Sequence, residues 1–193
     1  MTNRAETARE AIAAAAAPVF GRYGHRKTTM DMIANAAGLS RPAVYQYFPN
    51  KDAVFRAVAA RVGAELHAAA AAAGATGATT ADRLFNLLAV KLDFAAAAVA
   101  PDHRHELVRE AAAVAADLVA ASEAAYTDLV ASVLADAREL DLGAVTAEDA
   151  AALLTDAMVG IARSSATADR MRARLRLLVD LTVRGFTPER STP

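Results

Sequence analysis

The sequence predicts an all-helical protein, and three observations carry that expectation. Alanine, the strongest helix former, dominates the 193 residues. Strand-favouring residues never alternate over a useful length, whereas apolar residues recur at three- and four-residue spacing in successive segments. Cap-forming and helix-breaking residues punctuate those segments.

Each helix follows from these signals. The first is expected over about Arg4 to Arg22, ending at Gly24, with Pro18 removing one backbone donor and kinking it. Thr29 caps a second helix that reaches Ala36 and stops at Gly38. Ser40 caps a third, which Pro49 ends, and Asn50 caps a fourth whose Val54, Val58, Val62 and Leu66 form one stripe up to Gly74. Thr80 is read as the cap of a fifth helix carrying Leu84, Leu88 and Leu92 and yielding near Pro101. Residues 102 to 142 lack Gly and Pro, and their apolar positions suggest two helices broken near Asp117 to Ser122. Thr146 with Asp149 forms an acidic variant of the capping box for the next helix, which holds Leu153, Leu154, Met158 and Ile161. The last helix spans about Ala168 to Phe186, with Met171, Leu175, Leu178 and Thr182 on one line and Leu177 with Leu181 on another.

Composition narrows the function. A content of 55% hydrophobic and 22% charged residues suits a folded, soluble protein with a sizeable core. Cysteine is absent, which excludes disulfides, thiolate metal sites and a cysteine nucleophile, and the cytoplasm is the expected compartment. The N-terminal run imitates a signal peptide, yet Glu6 and Glu10 interrupt its basic region and Ala8, Ile12, Ala16, Val19 and Tyr23 keep helical spacing. The uncharged stretch from Leu66 to Ala81 is too short and too weakly apolar to span a bilayer, so no membrane partner is expected. The net charge of −1 hides an asymmetry: residues 1 to 63 hold nine Lys/Arg against four Asp/Glu, and residues 64 to 193 hold twelve against eighteen. A basic third followed by an acidic remainder suits one module that faces a polyanion and another that does not.

The segment TTMDMIANAAGLSRPAVYQYF identifies that module. Ala34, Gly38 and Val44 stand where a helix-turn-helix needs a small crossing residue, a turn glycine and an apolar lock. Turning the third helix by about 100° per residue sends Val44 and Phe48 inward and leaves Arg41, Pro42, Ala43, Tyr45 and Tyr47 toward its N-terminal end and flanks. Arg41 can donate two hydrogen bonds to guanine, and Pro42 and Ala43 can meet thymine methyl groups. Tyr45, Tyr47 and Lys51 suit phosphates, Lys51 because it begins a helix whose N-terminus attracts anions.

The run from Thr28 to Lys51, T-T-x-x-x-I-A-x-x-A-G-x-S-x-x-x-V-Y-x-Y-F-x-x-K, resembles the N-terminal signature of the TetR (tetracycline repressor) family, and Val19-Phe20 and Tyr23-Gly24 fit the end of that family's first helix. The resemblance implies a homodimeric repressor of about nine helices, the first three binding double-stranded operator DNA and the rest forming a ligand-binding and dimerisation domain. It carries the family's DNA contacts onto Thr29, Arg41, Pro42, Ala43, Tyr45, Tyr47 and Lys51. Asp31 departs from members that carry a basic residue there, which argues against a base contact from the second helix.

The expected organisation is a DNA-binding domain over residues 1–50, a connecting helix over 51–73, a ligand-binding and dimerisation domain over 80–187 and a loose tail over 188–193, with the Gly/Thr-rich segment 74–80 as boundary. Small side chains facing Leu88, Leu92, Tyr126, Val130 and Met158 could leave a cavity for a small, mostly apolar effector. Leu177 and Leu181 are the expected dimer interface, on a last helix with more apolar width than one intramolecular contact covers.

Other readings have less behind them. His103-Arg104-His105 lacks a third ligand at useful spacing, so no metal is expected. Arg170, Arg172, Arg174 and Arg176 point to both sides of one helix, and Arg176 can pair with Asp180 four residues on. No Gly-rich phosphate loop, nucleophile elbow or His/carboxylate cluster is present, so neither catalysis nor a cofactor is expected. The contrasting possibility is an all-helical interaction module or enzyme whose helix-turn-helix is only structural.

Overall fold

The computed structural model describes residues 2–97, 110, 111, 113–164 and 166–188. All regular structure among them is helical: α1 (Thr2–Lys27), α2 (Met30–Ala36), α3 (Arg41–Tyr45), α4 (Lys51–Gly74), α5 (Thr80–Ala97), α6 (Ala116–Ala135), α7 (Ala147–Ala162) and α8 (Ala168–Phe186). The His103-Arg104-His105 segment lies outside the described residues. The chain divides into two compact units, Met1–Glu65 with Ala98–Ser122, and Leu66–Ala97 with Glu123–Pro193.

The first unit is built on small residues. Ala13 and Ala16 of α1 are buried with Ile12, Phe20, Ile33, Val44, Phe48, Val54, Phe55 and Val58 in one core, in which Phe20 and Phe55 meet edge to face at 5.0 Å. Helix α1 runs through Pro18; its backbone leaves helical geometry at Gly24, with φ 72° and ψ 164°. That conformation favours glycine. It turns the carbonyl of Gly24 toward Thr28, whose buried hydroxyl donates to it at 2.7 Å.

Helix α2 ends in a Schellman arrangement: the Leu39 amide donates to Ala34 O at 2.9 Å and the Gly38 amide to Asn35 O at 3.2 Å, around Gly38 at φ 65°. The predicted caps are in place at Thr29, Ser40, Asn50 and Thr146, each accepting from the amide three residues on. Helix α3 is shorter than expected, because the backbone turns after Tyr45, well before Pro49.

The second unit packs α5, α7 and α8 around Leu84, Leu87, Leu88, Leu92, Leu154, Met158, Leu175 and Val179, with Tyr126, Val130, Val133 and Leu134 from α6. Two expectations are corrected in detail. The cap of α5 is Thr79, whose hydroxyl accepts from the Asp82 amide at 3.1 Å, because Thr80 is buried and directs its own hydroxyl to Glu139. Helix α6 passes unbroken through Asp117 to Ser122, and the interruption lies at Ala115, after helical residues at 110, 111, 113 and 114. The break near Asp117 fails because that side chain is fastened to Arg56 by two hydrogen bonds of 2.7 Å, which hold the first turn of α6 in place.

Helix α6 is long and apolar enough to cross a membrane by length and composition, and here it places five side chains in a core and carries Asp117, Glu123 and Asp128. The arginines of α8 are engaged within their unit: Arg172 pairs with Asp93, and Arg176 bridges Asp82 at 2.7 Å and Asp180 at 3.0 Å.

Candidate nucleic-acid interface

Five residues of helix need support from outside, since so short a helix is marginal alone. Helix α3 receives that support at both ends and along its inner face. Ser40 Oγ accepts the Ala43 amide at 3.3 Å, the first one available after Arg41 and Pro42. Val44 and Phe48 are fully buried, as their spacing requires. At the far end the Arg9 guanidinium lies 4.4 Å over the Phe48 ring and donates to Tyr47 O, satisfying a carbonyl that the helix end would leave open.

The outer face is what the inner face leaves over. Arg41, Pro42 and Tyr45 are exposed, with Tyr45 at 41%, and Ala43 and Tyr47 are half-buried. Arg41 is held at 3.1 Å by Asp31 of α2, and its other terminal nitrogen stands 3.5 Å from the Tyr45 hydroxyl. The Tyr45 hydroxyl first, and then the Asp31 charge, raise the already high pKa of the guanidinium, so it is a permanent cation. Thr29, exposed at the start of α2, spends its hydroxyl oxygen on the Met32 amide. Arg4, Arg9, Arg22, Arg26 and Lys27 are also exposed and add positive charge to the same unit.

Lys51, expected to meet a phosphate, stands at the start of α4. It is half-buried, and its ammonium donates to His25 O at 2.7 Å and Arg26 O at 3.4 Å, closing the end of α1. One of its three N–H groups remains for an anion.

Sequence reasoning missed three residues that organise this surface. Arg9 reaches Phe48 and Tyr47 O from a helix 38 residues away in sequence. Glu110 accepts the His25 amide at 2.8 Å and the Arg26 amide at 3.3 Å, where Gly24 turns the chain. His25 places its ring 4.9 Å from Phe55 and its Nε2 2.9 Å from Asp52. These contacts span 27 to 85 residues, beyond any local pattern. The Asp31–Arg41 pair was within reach, since a helix-turn-helix brings the first turns of its two helices together.

The five expected effector residues meet inside the second unit. Leu88, Leu92, Tyr126, Val130 and Met158 are each at most 2% exposed and belong to one packed cluster. The Tyr126 hydroxyl donates to Leu87 O at 2.6 Å, and burial raises its pKa well above the ordinary value. The Lys91 ammonium lies 4.6 Å over the Tyr126 ring and pairs with Glu123. Leu177 and Leu181 are 59% and 55% exposed, and with Leu153 at 69% they form an apolar face on α7 and α8. A hollow of about 320 Å³ opens there, lined by Leu153, Leu154, Leu178, Leu181 and Phe186.

Residues 12–58 match the family profile described as bacterial regulatory proteins, tetR family. No curated protein matches the chain in sequence. Among solved structures, the chain is similar to a TetR-family transcriptional regulator from Pectobacterium atrosepticum, with 20% identity, TM-score 0.73 and coverage of 98% of both chains. It is likewise similar to a protein assigned to that family from Mesorhizobium loti, at 17% identity and TM-score 0.78, covering 96% of this chain and 99% of that one. A third is SmeT, the repressor of the Stenotrophomonas maltophilia multidrug efflux pump SmeDEF, at 23% identity and TM-score 0.63, covering 96% and 93%. Residues 12–58 thus carry the sequence profile of the tetR-family regulatory proteins, and the chain as a whole has the fold of these TetR-family structures.

Proposed function

We propose that the protein is a cytoplasmic, ligand-responsive transcriptional repressor that binds a palindromic operator as a homodimer and is released by a small, mostly apolar effector. The observation that carries the reading is the braced helix α3, which buries Val44 and Phe48 and presents Arg41, Pro42 and Tyr45 to solvent. In this reading residues 1–50 bind DNA, α4 over 51–73 connects, 80–187 bind effector and partner, and 188–193 form a tail. Arg41, Pro42 and Ala43 read base edges, while Thr29, Tyr45, Tyr47 and the remaining donor of Lys51 meet phosphates.

The exposed face of Leu153, Leu177 and Leu181 supports dimerisation, because a four-helix arrangement with a second copy covers it. Two recognition helices about 34 Å apart, or a multiple of that, enter successive major grooves. The cluster of Leu88, Leu92, Tyr126, Val130 and Met158 is closed in this state, so an effector binds by opening it and by favouring a state that DNA does not. Each tenfold loss of operator affinity requires about 1.4 kcal/mol of preference for that state. A gel shift with DNA from upstream of the protein's own gene tests the proposal. Salt-sensitive, sequence-specific retardation that hydrophobic compounds relieve supports it; equal retardation of all sequences rejects operator recognition, and no retardation leaves the helix-turn-helix a structural role only.

A further inference from the structure

An arginine at the first turn of a recognition helix has two options on DNA. It can fork onto guanine O6 and N7, which discriminates between bases, or swing to a phosphate, which does not. Its long side chain has the freedom for either, so something must bias the choice. Asp31 is placed to do so. It projects from the first turn of α2, holds Nη1 of Arg41 at 3.1 Å, and remains 60% exposed beside a guanidinium that is 54% exposed. Tyr45 flanks the other side, its ring centroid 5.6 Å from the guanidinium carbon and its hydroxyl 3.5 Å from Nη2.

We propose that Asp31 is a specificity-determining residue: by holding Nη1 it limits Arg41 to orientations that reach base acceptors and withholds the cation from phosphates. The inference rests on the operator-binding reading above. Its physical basis is that an exposed ion pair adds little to stability, yet it fixes the plane of a forked donor. The carboxylate also repels the phosphate backbone, so Asp31 lowers affinity for all DNA while sharpening the choice among sequences. The competing account makes Asp31 only a favourable acid at the N-terminus of α2. That role shows in thermal stability and leaves base preference untouched.

The test selects binding sites from a random duplex library with the full-length protein, Asp31→Asn, Asp31→Glu, Arg41→Ala and the Asp31→Asn/Arg41→Ala double variant. Binding to a mixed-sequence duplex is then titrated against salt. The wild type should prefer one base by about 5- to 150-fold at one position of each half-site. Asp31→Asn should lose that preference alone, Asp31→Glu should restore part of it, and Asp31→Asn should change nothing further once Arg41 is alanine. With Asp31→Asn, mixed-sequence binding should tighten and its salt dependence steepen by about one counterion per protomer. If the wild type is selective and Asp31→Asn keeps its base profile and salt slope, with or without a lower melting temperature, the role assigned to Asp31 is overturned and operator binding stands. If the wild type itself selects no sequence, the operator reading fails and this inference falls with it.

Discussion

Replacing Leu177 and Leu181 together by glutamate should leave the protomer folded and abolish the proposed dimer. The two side chains are 59% and 55% exposed, so neither supplies much of the core around Met171, Leu175 and Val179. Burying a leucine fully is worth about 1.5–3 kcal/mol, so covering the exposed part contributes about 0.8–1.7 kcal/mol per side chain, or about 3–7 kcal/mol for the four in a two-fold pair. At about 1.4 kcal/mol per tenfold, the double variant should dissociate roughly 10²- to 10⁵-fold more readily, and more where carboxylates are forced into an apolar contact. Sedimentation velocity over a range of concentrations reads the change, with circular dichroism confirming an unaltered helical melt. Operator affinity should collapse with the dimer, because one half-site contact remains. A double variant that sediments as the wild type does would refute the assignment of this face.

Arg41→Ala should cost about 1–3 kcal/mol per half-site and relax one base position, whereas Lys51→Ala should weaken all sequences alike; it should also lower the melting temperature, because it unties the His25 and Arg26 carbonyls. Asp117 is held at about 2, below its usual 3.8, by the Arg56 guanidinium, so its contribution to stability is complete above pH 3.8 and is lost as pH falls toward 2. Melting temperatures of the wild type and Asp117→Asn should therefore differ above pH 3.8 and converge near pH 2, with a smaller gap in high salt because the pair is exposed. Tyr126→Phe should destabilise by about 0.5–1.5 kcal/mol in urea, the usual net value of one hydrogen bond, here that to Leu87 O.

What the sequence made legible was local. Caps at Thr29, Ser40, Asn50 and Thr146 could be read because one side chain and one amide three residues on decide them. Thr79 and Thr80 are equally good cap residues, and only Glu139, distant in sequence, separates their roles. The break before α6 falls at Ala115, a residue type that signals no break, while Asp117, a better breaker, is tied down by Arg56 from α4. Periodicity likewise shows that Leu88, Leu92, Tyr126, Val130 and Met158 turn inward, but whether inward-facing side chains enclose a space depends on packing, which spacing does not encode. The outer face of α3 was legible because its inner face was. Its brace at Arg9, like the Glu110 contact that holds the end of α1, comes from tertiary proximity alone.

The measurement that bears most directly on the central claim is enrichment from a random duplex library by the full-length protein, followed by sequencing. The expected product is an inverted repeat whose half-site centres lie about one helical turn apart, or a multiple of it, and whose sharpest position is erased by Arg41→Ala. Enrichment of no sequence, or a profile identical in the wild type and Arg41→Ala, would contradict it.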